Sequence, residues 1–247
     1  MEMETFSNVF QCGARELLPE NQRHPMAGKW RETYFHNDHP IVLELGCGRG
    51  EYTVGLAQQY PDKNFIGIDI KGARMWAGAK QAELAGMKNV AFLRTNIEII
   101  ASFFDADEID EIWITFCDPQ MKKATKRLTS TYFMQRYQQI VKPNGLIHLK
   151  TDSPFLYAYT TEMLRLNNYP VLCNTEDLYA NPDKDAYEGL VQASALQTHY
   201  EKQWLDRGLT IKYIEWQLTH LTQWEEPEIE IEKDTYRSYG RNYNSPE

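Results

Sequence analysis

A chain of 247 residues is long enough for one well-buried domain with small additions. Its composition, 42 % hydrophobic, 25 % charged and 13 % aromatic, excludes disorder over most of the length. A net charge of −9 excludes nucleic-acid binding through the overall field, so any RNA contact needs a local basic patch.

Residues 1–39 precede the first apolar strand and read as an extension carrying Arg15, Arg23, Lys29 and Arg31. Their start lacks a basic segment followed by an apolar block, and no later apolar run reaches the roughly 18 residues of a membrane span. Strands are predicted at 41–45 (IVLEL), 65–69 (FIGID) and 90–93, alternating with helices at 52–59, 73–85 and 97–104. The second of these helices is rich in Ala, Lys, Gln, Glu and Met and holds no proline. EIWITF at 111–116 is mostly apolar, as a strand buried on both faces is. A basic loop then leads to a helix over 132–141 and a strand over 146–150. Asp152-Ser153-Pro154 opens the next helix with an N-cap and a proline in its first turn. A strand at 171–174, a partly helical stretch over 176–196, a helix at 198–207 and a last strand at 209–218 follow. From residue 225 the chain is acidic, with a net charge of −4, and is expected to be a mobile tail. This alternation predicts an α/β domain over 40–224, built from parallel βαβ units with helices on both faces of the sheet. Cys12, Cys47, Cys117 and Cys173 are far apart with no C-x-x-C pair, which points to a reducing, cytoplasmic setting without zinc or disulfides.

The segment ELGCGRGE follows the first strand and opens a helix. Gly46, Gly48 and Gly50 give the spacing G-x-G-x-G, not the dinucleotide G-x-G-x-x-G, and no lysine follows as in a P-loop. Asp69 ends the second strand about 20 residues later, where an acid can bind ribose hydroxyls. Glu44, two residues before Gly46, is poor company for a pyrophosphate and good company for a cation. Taken alone, the loop can also be only a strand-to-helix turn. E-L-G-C-G-R-G resembles the first motif of Rossmann-fold methyltransferases that use S-adenosylmethionine (SAM). The resemblance implies SAM as cofactor, its methionine part at the glycine loop and its ribose at Asp69. It also implies a seven-stranded, mostly parallel Rossmann-like sheet whose last strand is antiparallel.

Three later segments narrow this: FCDPQMKKATKRLT after the fourth strand, LKTDS at the fifth, and THYE near residue 200. In that order, over about residues 40–218, they resemble the bacterial tRNA (guanine-N7)-methyltransferase family. Its pattern is D-P-W-P-K-K-R-H followed by R-L. Asp118, Pro119, Lys122, Lys123, Arg127 and Leu128 match it, whereas Gln120, Met121, Ala124 and Thr125 depart from it. The resemblance puts cofactor contacts on Glu44, Gly46, Gly48, Asp69, Asn96 and Asp118, and substrate contacts on Lys122, Asp152, Thr198 and Glu201. Asp118 becomes the catalytic carboxylate. Asn96 stands where the family usually has Asp, and an amide still hydrogen-bonds adenine. The implied partner is tRNA and the implied target is guanosine 46 of its variable loop. No metal and no membrane are implied, and the chain would act as a monomer or homodimer. Guanine N7 has a free lone pair and no proton, so its methylation needs no general base.

Without the family, each site has a plainer reading. Asp118-Pro119 starts a turn, Asp152 caps a helix, and Thr198-x-x-Glu201 is a capping box. Lys122, Lys123, Lys126 and Arg127 form a solvated charged face. Two other functions compete: methyl transfer to a small molecule or protein, and RNA binding by a cofactor-holding protein that has lost catalysis.

Overall fold

The structure is a computed structural model that describes residues 6–11 and 23–236. Among these residues, strands β1 (Val9–Gln11), β2 (Ile41–Leu45), β3 (Asn64–Asp69), β4 (Val90–Arg94), β5 (Ile109–Thr115), β6 (Val141–Thr151), β7 (Val171–Thr175) and β8 (Lys212–Leu218) form one sheet. Its order is β1-β4-β3-β2-β5-β6-β8-β7. All neighbours pair in parallel except β8, which runs against both β6 and β7.

The alternation of side chains along β2 explains the layers. Ile41, Leu43 and Leu45 enter one core with Phe133 and Met134 of α3 (Thr131–Tyr137) and Leu156 and Met163 of α4 (Pro154–Leu166). Val42 enters the other core with Val54 of α1 (Glu51–Gln59), Met75 and Ala79 of α2 (Gly72–Leu84) and Leu190 of α5 (Glu188–Ala195). Trp204 and Leu205 of α6 (His199–Asp206) pack on the same second face. The sheet is therefore covered on both sides, which is why its central strands read as nearly continuous apolar runs.

The sheet has eight strands rather than the expected seven. The extra one, β1, comes from the leading extension and pairs with β4, Val9 opposite Phe92. Three residues are too few to show a strand period. Residues 30–35 of the same extension form a π-helical turn that buries Trp30 completely. Its indole Nε1 donates to the Phe103 carbonyl (2.9 Å), and its ring stacks on Phe104 at 5.6 Å. Of the extension's bases, Arg15 lies outside the described residues, Arg23 pairs with Asp105 and Arg31 with Asp110.

The helix expected over 132–141 ends at Tyr137, and β6 already begins at Val141. Pro143, which has no N–H, and Asn144 at φ 62° divert β6 before it rejoins β5, which hid its first half in the sequence. Residues 97–102 form a 3-10 helix capped by the Asn96 side chain. No helix among the described residues is long and apolar enough to cross a membrane.

Where the sequence suggests a mobile tail, residues 225–236 pack on the body. The Glu226 carboxylate accepts hydrogen bonds from the Thr131 and Tyr159 hydroxyls. Asp234 is buried beside the start of α4.

Candidate active site

A cavity of about 410 Å³ opens at the carboxyl ends of β2, β3, β4 and β5, the edge where parallel α/β sheets bind ligands. Glu44, Gly46, Gly48, Asp69, Asn96, Asp118 and Thr198 all face it, although they come from five separate segments. Lys122, Asp152 and Glu201 are not on its wall.

The glycine loop is pinned by β3: Gly46 N and Cys47 N both donate to the Ile68 carbonyl, at 2.8 and 3.0 Å. Gly46 and Gly48 sit at φ 78° and 53°, a region where side chains are costly. A Cβ on Gly46 would approach only Leu128 Cδ1, and one on Gly48 only the Gly46 carbonyl, each at 4.0 Å. The space beside the loop is thus the cavity itself. On its wall, the Thr95 hydroxyl is buried without a hydrogen-bond partner. Asp69 accepts from Gly48 N (2.9 Å) through Oδ2 and from Lys71 N (2.8 Å) through Oδ1, which aims its remaining lone pairs at the cavity rim. This donor and acceptor set, beside an open backbone cradle, fits a nucleoside with a diol.

Glu44 is only 5 % exposed. It accepts from Thr53 N (2.8 Å), from the Thr53 hydroxyl and from the Thr115 hydroxyl (2.6 Å). Burial pushes its carboxyl up to about 7, against the pull of those donors. Such a carboxylate on a cavity wall suits a ligand that brings positive charge. Thr53 and Thr115 carry no motif; the only sequence signal was a threonine ending an apolar strand.

Asp118 is exposed on the cavity wall. It also starts a turn, since its Oδ1 accepts from Gln120 N at 3.0 Å; the plain and functional readings coexist. The four-base patch expected after it splits three ways. Lys122 and Lys123 are exposed. Lys126 pairs with Glu98. Arg127 is 8 % exposed and lies over the rings of Phe155 (4.8 Å) and Tyr159 (4.4 Å). Its guanidinium donates to the carbonyls of Gln120 (3.2 Å) and Met121 (3.3 Å), so it shapes the loop instead of facing solvent.

Thr198 and Glu201 form the expected capping box: Glu201 N donates to Thr198 Oγ1, and Thr198 N to Glu201 Oε2, both at 3.2 Å. Thr198 reaches the cavity, but Glu201 is fully buried. Lys150, also fully buried, donates to Glu201 Oε1 (2.8 Å) and to the carbonyls of Ala193 (2.6 Å) and Leu196 (2.8 Å). The Tyr179 hydroxyl adds a bond to Glu201 Oε1 at 2.6 Å. Glu201 therefore holds the segment that carries Thr198 instead of facing the cavity. Sequence reasoning missed Lys150, whose signal was a lysine at the end of an apolar strand. Asp152 is fully buried as well, with the Tyr236 hydroxyl donating to its Oδ2 at 2.6 Å.

A family model described as "Putative methyltransferase" (Methyltransf_4) matches residues 38–214. A protein of Bacteroides thetaiotaomicron named tRNA (guanine-N(7)-)-methyltransferase is 57 % identical over 244 residues, spanning 99 % of this chain and 94 % of that one. A protein of the same name from Porphyromonas gingivalis is 56 % identical, with 98 % of each chain covered. Among solved structures, the 16S rRNA methyltransferase KamB superposes with a TM-score of 0.57 at 11 % identity, over 76 % of this chain and 92 % of its own; that likeness concerns the fold.

Proposed function

This chain belongs to the tRNA (guanine-N7)-methyltransferase family, and on that premise we propose that it methylates N7 of guanosine 46 in the tRNA variable loop, with SAM as methyl donor. The observation that carries the reading is the convergence of Glu44, Asp69, Asn96, Asp118 and Thr198 on one cavity. A cytoplasmic place of work suits a tRNA substrate and the free thiols of Cys47, Cys117 and Cys173.

SAM supplies a methyl group on a cationic sulfur. The chain's own residues bind and orient. Asp69 takes the ribose hydroxyls on its free lone pairs, Asn96 the adenine, and the Gly46–Gly48 backbone and Glu44 the charged methionine end. Asp118, on the rim, accepts hydrogen bonds from the guanine N1–H and amino edge. It also stabilises the positive charge that the purine gains as N7 is methylated. No proton leaves N7, so no residue serves as base. Catalysis would rest on positioning, the residues at the rim holding N7 toward the methyl group that SAM would supply. The variable-loop base is drawn out of its stack to reach the rim, and Lys122 and Lys123 hold phosphate without reading sequence.

The deciding experiment offers labelled SAM to two unmodified tRNA transcripts that differ only in guanosine or adenosine at position 46. Label in the guanosine transcript alone is expected. Label in both, or in neither while SAM binds, would refute the assignment.

Glu44 gives SAM binding a pH dependence of known sign. Its carboxyl is raised to about 7 in the folded chain, and a bound cation favours the ionised form. Affinity should therefore strengthen as pH rises toward about 7, by up to about tenfold per unit for one coupled proton, and level off above. Calorimetric titration from pH 5.5 to 8.5 measures this, and Glu44→Gln should flatten the curve. The same shift makes Glu44 cost folding stability as pH rises from about 4.5 to 7, because the folded chain holds the proton longer.

A further inference from the structure

Three places carry the residues that the family resemblance assigns to the substrate: the loop after Asp118, Asp152 just beyond β6, and α6 with its cap. One late stretch of chain touches all three. Asp234, 7 % exposed, accepts from the Ser153 hydroxyl (2.5 Å) through Oδ2 and from Phe155 N (3.1 Å) through Oδ1. These donors belong to the first turn of α4, whose partial positive charge tolerates a buried anion. The Asp234 backbone N–H donates to Met121 Sδ at 3.2 Å. Met121 is one of the residues that departs from the family pattern, where proline is usual and would offer no such acceptor. Two residues later, the Tyr236 hydroxyl donates to Asp152 at 2.6 Å. The Tyr236 ring stands edge-on to Trp204 of α6, 5.4 Å between centroids.

The same stretch reaches the loop by a second route. Glu226 accepts from the Tyr159 hydroxyl. The Tyr159 ring lies against Arg127, and Arg127 holds the carbonyls of Gln120 and Met121.

We infer that residues 226–236 are a fixed brace behind the guanosine-binding end, in which Asp234 and Tyr236 are positioning residues that hold the Asp118–Met121 loop and Asp152 in place for methyl transfer. This rests on the proposed tRNA guanine reaction. A strap that tRNA pushes aside is the opposing reading. The bonding pattern opposes that reading. Peeling the segment away would break hydrogen bonds to buried groups at the start of α4 and to Asp152, and buried polar groups are costly to strip of partners.

The test uses the full chain with Tyr236→Phe, which keeps the ring on Trp204 and removes only the hydroxyl. Asp234→Asn, which keeps the shape and removes the charge, is the second variant. Turnover of the guanosine-46 transcript is measured per SAM-binding site, so a misfolded fraction does not count, together with the KM for tRNA and the Kd for SAM. The expected result is a kcat lower by about tenfold or more, in line with the cost of small misplacements, with SAM affinity within about twofold. Unchanged kcat per binding site in both variants would overturn the inference and leave the tail a structural appendage. A lower KM for tRNA at full kcat would overturn it in favour of the displaceable strap. If the unmodified chain itself fails to methylate the transcript, the proposed function has failed instead, so the two failures are distinguishable.

Discussion

Asp118→Asn should lower the rate of methyl transfer by about 100- to 1000-fold, the usual cost of removing one group aimed at developing charge. The substitution isolates the charge. Asparagine keeps the side-chain oxygen that accepts from Gln120 N, so the turn persists and the loop stays where Arg127 fixes it. What disappears is the negative charge beside a purine that becomes cationic. Asparagine also points an N–H where guanine presents its own donors. Single-turnover labelling at saturating SAM and tRNA measures the step directly. Full turnover with ordinary SAM affinity would remove Asp118 from the chemistry and from the recognition of the guanine N1–H and amino edge.

Lys150→Met should strongly destabilise the fold at a place away from the cavity wall. It leaves Glu201 charged, fully buried and short of its cation. Breaking such a pair costs about 3–5 kcal/mol, and in a domain of this size that lowers the melting temperature by roughly 10 °C. The double variant Lys150→Met, Glu201→Gln should recover much of the loss, since glutamine still completes a capping box and no buried charge remains. Thermal and urea unfolding of both proteins decide the matter; a double variant no more stable than Lys150→Met would mean that the lost lysine packing, not the orphaned charge, is responsible. The pair also has a pH signature. Burial pushes the Lys150 amine down to about 8, against the pull of Glu201. Between about 8 and 10.5 the unfolded chain binds the extra proton, so this lysine adds stability as pH rises across that window. Lys150→Met should lose that slope.

The convergence of Glu44, Gly46, Gly48 and Asp69 on one cavity was legible because its determinants are local. A glycine loop between a strand and a helix, an acid before it and an acid ending the next strand are all set by spacing along the chain, and Glu44, Gly46, Gly48 and Asp69 meet as that spacing requires. The surroundings of the residues expected at the substrate were less legible because their partners are distant in sequence. Glu201 reads as a substrate contact until Lys150, 51 residues away, is seen to hold it. Arg127 reads as part of a basic patch until Phe155 and Tyr159 enclose it. Acidic composition made the tail look solvated, because composition cannot report that one acid of the run meets the open amides of a helix start. The edge strand β1 escaped notice for a simpler reason: three residues carry no period, and its parallel partner β4 lies about 80 residues on.

The position of β8 between β6 and β7 has a consequence for the newborn chain. Strands β1 to β5 and most of the cavity wall lie within the first 133 residues, so this part can take shape early in synthesis, as leading portions of a chain do. The other end cannot. β6 lacks one neighbour until residues 212–218 have left the ribosome, and Asp152 gains its hydroxyl donor only with Tyr236. A chain cut short before Tyr236 would keep most of the cavity wall but leave the buried Asp152 without that hydroxyl donor.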